Sequence, residues 1–213
     1  MDKKTKVLRL IEKLQRAYPN ARIELNFENQ YQLLIATILS AQATDVSVNL
    51  ATPALFKKYP KPENLAKAPL EEIDSYIKKI NFHGSKAKLI KNCATMLLAE
   101  FEGKVPDNME DLDSLPGVAR KSANVVLGSA FGKADGIVVD THMIRMSNKL
   151  GLTDSKDPVQ IEKDLMEIVP KEHWIDFPLM LILHGRHFCT ARPHSCENCP
   201  LEKLCPDYLP NKP

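Results

Sequence analysis

Apolar residues recur at spacings of three and four along most of the chain, a pattern that predicts helices throughout. Val7, Leu8, Ile11 and Leu14 stripe a first amphipathic helix, which Tyr18-Pro19-Asn20 ends. Tyr31 to Leu39 is a nearly continuous apolar run, as expected of a helix buried on most sides. Asp45 is placed to cap the next helix, which carries Val48, Leu50, Leu55 and Phe56; Pro53 should kink or restart it. Pro60 and Pro62 mark a loop, after which Leu70, Ile73, Ile77 and Ile80 stripe another helix. Ser85 is the expected cap of the helix bearing Leu89, Cys93, Met96 and Leu97, with Gly103 just past its end. Cys93 reads as a small core residue of that face. Met143, Ile144 and Leu150 belong to a helix that Gly151 terminates, and Asp157-Pro158 opens one through Ile161, Leu165 and Ile168. Trp174, Phe177, Leu181 and Ile182 stripe the last long helix. No strand ladder is evident, so the expected fold class is all-α.

One stretch, residues 107–131, combines several signals. Asp107 and Glu110 have the spacing of a capping box, and Met109, Leu112 and Leu115 give a short helix its apolar stripe. Pro116 and Gly117 stop that helix, and Ala123, Val126, Leu127 and Ala130 mark a second. A hairpin feeding a helix N-terminus exposes unpaired backbone N–H groups, which suits a phosphate. Lys121 falls in the first turn of the second helix, where the macrodipole disfavours a cation. By position it is either a surface or phosphate-contacting lysine, or an amine set for nucleophilic chemistry. Asp140 ends the apolar run Ile137-Val138-Val139, and is either the cap of the next helix or a poised carboxylate.

Composition adds limits. The 213 residues are 44% hydrophobic and 26% charged, ordinary for a globular protein. A net charge of +2 is too slight to argue for nucleic acid, so any such contact must come from a local basic face. No run is long enough to span a membrane, and the charged amphipathic N-terminus lacks a signal-peptide core, which argues against secretion. Four of the five cysteines form Cys189-x6-Cys196-x2-Cys199-x5-Cys205. That clustering points to a metal site in a reducing compartment, and spacing alone suits zinc or an iron–sulfur cluster.

LPGVARKSANVVL, followed at Val139 by VDTHMIR, resembles the helix-hairpin-helix and Gly/Pro-Asp signature of the endonuclease III family of DNA glycosylases. The segment from Glu24 to Asn49 is similar to the same family, and the cysteine spacing matches its [4Fe–4S] site. The resemblance implies a two-lobed all-α fold. Residues 22–133 would form a six-helix barrel with the helix-hairpin-helix, and residues 1–21 and 134–213 a helical lobe with the cluster loop. It also implies a bifunctional DNA glycosylase and abasic-site lyase that removes oxidised pyrimidines and cleaves 3′ to the site by β-elimination. Lys121 would be the Schiff-base nucleophile and Asp140 the catalytic carboxylate; Asp113 would be either a buried acid relaying protons or a solvated aspartate at the helix C-terminus. A family branch without strand cleavage has no lysine at this position.

By the same likeness Gln42 fills the stack vacated by the extruded nucleotide, and Phe82 wedges into the opposite strand. Pro116, Gly117, Val118, Ala119 and Arg120 form the hairpin against DNA, with His142 and Arg192 as further contacts. Ser40 and His142 also read as satisfied polar neighbours. Cys189, Cys196, Cys199 and Cys205 would hold the cluster, in a structural role for the loop 190–195. The family usually has glycine where Ala119 stands and threonine where Ser122 stands; a positive φ at 119 would carry strain. The implied partner is double-stranded DNA containing damaged pyrimidines or abasic sites, with no membrane association, for a monomer that is cytoplasmic and nucleoid-associated. Two other readings are a purine-specific glycosylase without lyase chemistry and a non-catalytic DNA-binding module. Lys121 speaks against the first, and Lys121 together with Asp140 against the second.

Overall fold

The computed structural model describes residues 2–192 and 194–208. Among them are eleven α-helices and no strand, an all-α fold. In chain order they are α1 (Lys3–Ala17), α2 (Gln30–Ser40), α3 (Asp45–Lys58), α4 (Pro62–Lys67), α5 (Leu70–Ile77), α6 (His83–Glu100), α7 (Met109–Ser114), α8 (Arg120–Phe131), α9 (Thr141–Lys149), α10 (Pro158–Ile168) and α11 (Asp176–His187). The chain divides into two compact units, one being Glu24–Lys133 and the other the segments up to Ile23 and from Ala134 onward.

In the unit Glu24–Lys133, α2 is the central helix, with Leu33, Leu34, Ile35, Ala36 and Leu39 fully buried. Asn29 caps it, accepting from the Gln32 N–H. Several helix starts differ from the sequence expectation. Thr44 rather than Asp45 caps α3, and Asp45 instead sits in its first turn, where the dipole favours a carboxylate. α3 runs through Pro53 without restarting, and Leu50 is 76% exposed while Ala51 and Thr52 face inward. The segment that Pro60 and Pro62 mark as a loop contains α4, which opens with Pro62 at its first position. α6 begins two residues before Ser85, at His83, after a left-handed Phe82. Its inward residues include Ala87, Ile90, Cys93, Ala94 and Leu97. Cys93 is a core residue, and burial pushes its thiol up to about 12.

The other unit is built on α1, α9, α10 and α11, whose shared core includes Val7, Leu10, Ile11, Met143, Ile161, Leu165, Phe177 and Leu181. The α1 stripe is shifted from expectation: Leu10 is buried and Leu8 is 52% exposed. Asp157 caps α10 with Pro158 at its first position, as the sequence indicates. α9 and α11 approach closely at Gly185, where an added Cβ would lie 3.1 Å from Met146 Cγ. No helix among the described residues is long and apolar enough to cross a membrane.

Candidate functional site

The hairpin is built from its anchors outward. Asn108, not Asp107, caps α7 by accepting from the Asp111 N–H; Asp107 pairs with Lys133 at 2.5 Å. Leu115 and Val118 are buried and hold the turn between them. The Val118 N–H donates to the Leu115 carbonyl at 3.0 Å, and Gly117 has φ +82°. With Pro116 preceding it, this is the pattern of a type II turn, which requires a positive φ at the residue glycine occupies. Space demands glycine as well, since a Cβ there would lie 2.9 Å from Ile38 Cγ2 and 3.3 Å from Leu89 Cβ.

Ala119 has φ −115° and ψ 166°, ordinary extended backbone. The strain expected from alanine at this position therefore does not arise, because the turn places its positive φ two residues earlier. Ala119 is the N-cap of α8 and offers no side-chain cap, so no cap side chain occupies the first N–H groups of that helix. Lys121, second residue of α8, is exposed beside them, as is Arg120. Asp113 is exposed on α7, so the burial implied for it is corrected: Leu112 takes the inward position.

Two loop tips of the same unit carry strain. Gln42 (φ +53°) and Phe82 (φ +59°) are exposed non-glycine residues in left-handed backbone, which costs roughly 1–2 kcal/mol each. Phe82 is 63% exposed. Asn81 Nδ2 donates to the Gln42 carbonyl at 3.3 Å and so joins the two loops, a contact with no sequence signal. Ser40 Oγ is satisfied by the Thr37 carbonyl at 2.8 Å.

In the other unit Asp140 caps α9, its Oδ1 accepting from the Met143 N–H at 2.8 Å. One carboxylate oxygen is thereby held in place. His142 is half-buried in the first turn of α9. Arg145, the last residue of VDTHMIR, donates from Nη1 to the Cys189 carbonyl (2.5 Å) and from Nη2 to the Gly185 carbonyl (2.8 Å). The motif contains it, but periodicity gives no hint of this clamp. Arg192 is exposed; its carbonyl accepts from Thr190 Oγ1 and lies 2.8 Å from His194 Nδ1.

Cys189, Cys196, Cys199 and Cys205 line one pocket, together with Lys149, His184, Phe188 and Tyr208. Lys149 Nζ donates toward Cys189 Sγ at 3.4 Å. Desolvation pushes the Cys199 and Cys205 thiols upward, so charged sulfurs here need a cationic partner. Among the described residues no three His, Cys, Asp or Glu side chains converge tightly enough for one metal ion. Four cysteine sulfurs lining one pocket are a donor set that fits zinc or an iron–sulfur cluster.

Comparison with known proteins agrees with this geometry. Residues 35–171 match the family model of the HhH-GPD superfamily base excision DNA repair proteins. Endonuclease III of Synechocystis sp. is 48% identical over 202 residues, covering 95% of this chain and 91% of the relative. A solved non-covalent endonuclease III–DNA complex superposes with TM-score 0.89 at 40% identity, covering 97% of this chain and 96% of that one. A trapped endonuclease III–DNA covalent intermediate has the same TM-score and identity, covering 97% of each. The chain belongs to the endonuclease III family, within the HhH-GPD superfamily of base excision DNA repair proteins.

Proposed function

We propose that the protein is a bifunctional DNA glycosylase and abasic-site lyase of base excision repair, acting on duplex DNA with oxidised pyrimidines. The observation that carries this reading is an exposed lysine, Lys121, at the start of a helix whose N-cap residue, Ala119, makes no side-chain cap. The first N–H groups of that helix and the Gly117 turn bind a phosphate, while the amine reaches the sugar of the same strand. The solved covalent intermediate of a 40% identical relative supports an enzyme-bound step.

The nucleotide is first extruded from the stack. Gln42 occupies the gap and Phe82 wedges the opposite strand, an apolar ring replacing lost stacking. Lys121 Nζ attacks C1′ and the base departs with the glycosidic electron pair, taking up a proton. Asp140 stabilises the positive charge developing on the sugar and accepts a proton from the attacking amine. The nitrogen lone pair then opens the sugar ring, the C1′–O4′ bond breaking and O4′ taking up a proton. The resulting iminium acidifies C2′; loss of that proton expels the 3′ phosphate, and hydrolysis frees the lysine. Arg120, His142 and Arg192 contribute DNA contacts. Asp113, exposed on α7, is the acid that relays protons in this scheme.

Cys189, Cys196, Cys199 and Cys205 hold a [4Fe–4S] cluster. Its contribution is structural, tying the loop 190–195 to α9 and α11 so that Arg192 is presented to DNA. The same reading implies a monomeric, cytoplasmic enzyme working on the nucleoid.

Borohydride tests the chemistry. Wild-type protein with abasic-site duplex should give a covalent adduct, and Lys121→Gln should give none while still binding the duplex. Full trapping by the variant would refute the role of Lys121.

A further inference from the structure

His184 takes no part in the chemistry above, yet it is buried on α11 with both ring nitrogens engaged. The Tyr18 hydroxyl stands 2.8 Å from Nδ1. On the other side, Nε2 lies 3.8 Å from Cys199 Sγ. Two rings fix the imidazole plane: Phe188 is stacked on it at 5.2 Å and 11°, and Tyr18 meets it edge-on at 5.9 Å and 76°. A side chain so constrained presents a set nitrogen to the sulfur.

Which nitrogen carries the proton follows from the two partners. A neutral imidazole has one N–H and one lone pair. If Nδ1 held the proton, a lone pair on Nε2 would face Cys199, which a thiol hydrogen tolerates and a thiolate ligand repels. With the phenol donating to Nδ1, the proton sits on Nε2 and points at the sulfur. This is how an outer residue fixes the tautomer of a histidine beside a metal centre.

We infer that His184 is a positioning residue for the cluster, an N–H donor to the Cys199 sulfur whose tautomer Tyr18 sets. The inference rests on assigning the four cysteines to an iron–sulfur cluster. A hydrogen bond to a cluster sulfur withdraws electron density and favours the reduced state, raising the reduction potential. Lys149 acts in the same direction on Cys189, at 3.4 Å. The donors come from α9 and α11, so two of the four ligands are polarised by helices of the same core.

A merely structural histidine would hold Tyr18 and leave the cluster's potential alone, which the experiment separates. Anaerobically purified full-length protein is assayed for iron and visible absorbance, then for its midpoint potential by voltammetry. His184→Leu should lower the potential, and His184→Gln, which keeps an N–H of similar reach, should restore most of the loss. Tyr18→Phe removes one oxygen, carries the test should His184→Leu fail to fold, and should shift the potential the same way by less. Nitrogen-15 NMR of the wild type should show Nδ1 unprotonated. Absence of iron from the wild type would overturn the cluster assignment and this inference with it. Iron bound with one potential in every variant would overturn the inference alone, as would a protonated Nδ1.

Discussion

Gly117→Ala is the sharpest probe of the hairpin, because two independent costs meet at one atom. An alanine held at φ +82° gives up roughly 1–2 kcal/mol to left-handed backbone. Its Cβ would also lie 2.9 Å from Ile38 Cγ2 and 3.3 Å from Leu89 Cβ, on two helices that the turn packs against. Forcing a methyl into such a site costs about 1–3 kcal/mol more. The expected destabilisation is about 2–5 kcal/mol, or roughly 4–20 °C in Tm for a chain of this size. Gly132→Ala supplies the control: its φ is +64°, but nothing lies within 4 Å of the added Cβ. Only the backbone cost applies there. Both glycines belong to the unit Glu24–Lys133, so one calorimetric transition reads both variants. Gly117→Ala should melt well below Gly132→Ala and nick abasic-site duplex more slowly, since relief of the clash displaces the phosphate-facing turn. Equal melting temperatures would refute the close approach of the hairpin to Ile38 and Leu89.

Three further outcomes follow from single side chains. Asp140→Asn keeps an equivalent helix cap, so stability should change by less than about 0.5 kcal/mol, while glycosylase turnover should fall roughly 10²-fold or more; a large loss of Tm with turnover intact would make Asp140 only a cap. Phe82→Gly removes a wedge and relieves left-handed strain, so affinity for lesion-containing duplex should drop while Tm holds or rises by up to about 1 kcal/mol equivalent; unchanged affinity would remove Phe82 from the interface. The Cys93 thiol, raised from 9.0 to about 12, ionises later in the folded than in the unfolded protein. Its stabilisation is complete below pH 9 and lost as pH rises toward 12, so in urea melts Cys93→Ala should show a shallower alkaline decline than wild type. Parallel declines would contradict that burial.

Helix existence was legible from local pattern because a buried stripe repeats every three or four residues, as in α2 and in α10 with its Asp157-Pro158 start. The cysteine spacing and the position of Lys121 after the Pro116-Gly117 break were equally plain. Helix starts were not. Thr44 or Asp45, and Asn108 or Asp107, are neighbours with the same capping chemistry, and packing selects which adopts extended backbone. α4 leaves no periodic signal in the sequence because six residues cannot sustain a helix alone; its stability comes from packing on α6.

Ala119 shows the division most clearly. A residue comparison expects strain there, but the turn assigns its positive φ to Gly117, so alanine is accommodated. Sequence by itself determined which residues are amphipathic, which can bind metal and where an amine follows a hairpin, since each is set by near neighbours. Only the tertiary structure decided that Asn81 meets Gln42, that Arg145 grips Cys189 and that Tyr18 orients His184 across 166 residues. Those pairings depend on how helices cross, and a hydrogen bond spanning a few ångströms leaves no periodic mark on a chain.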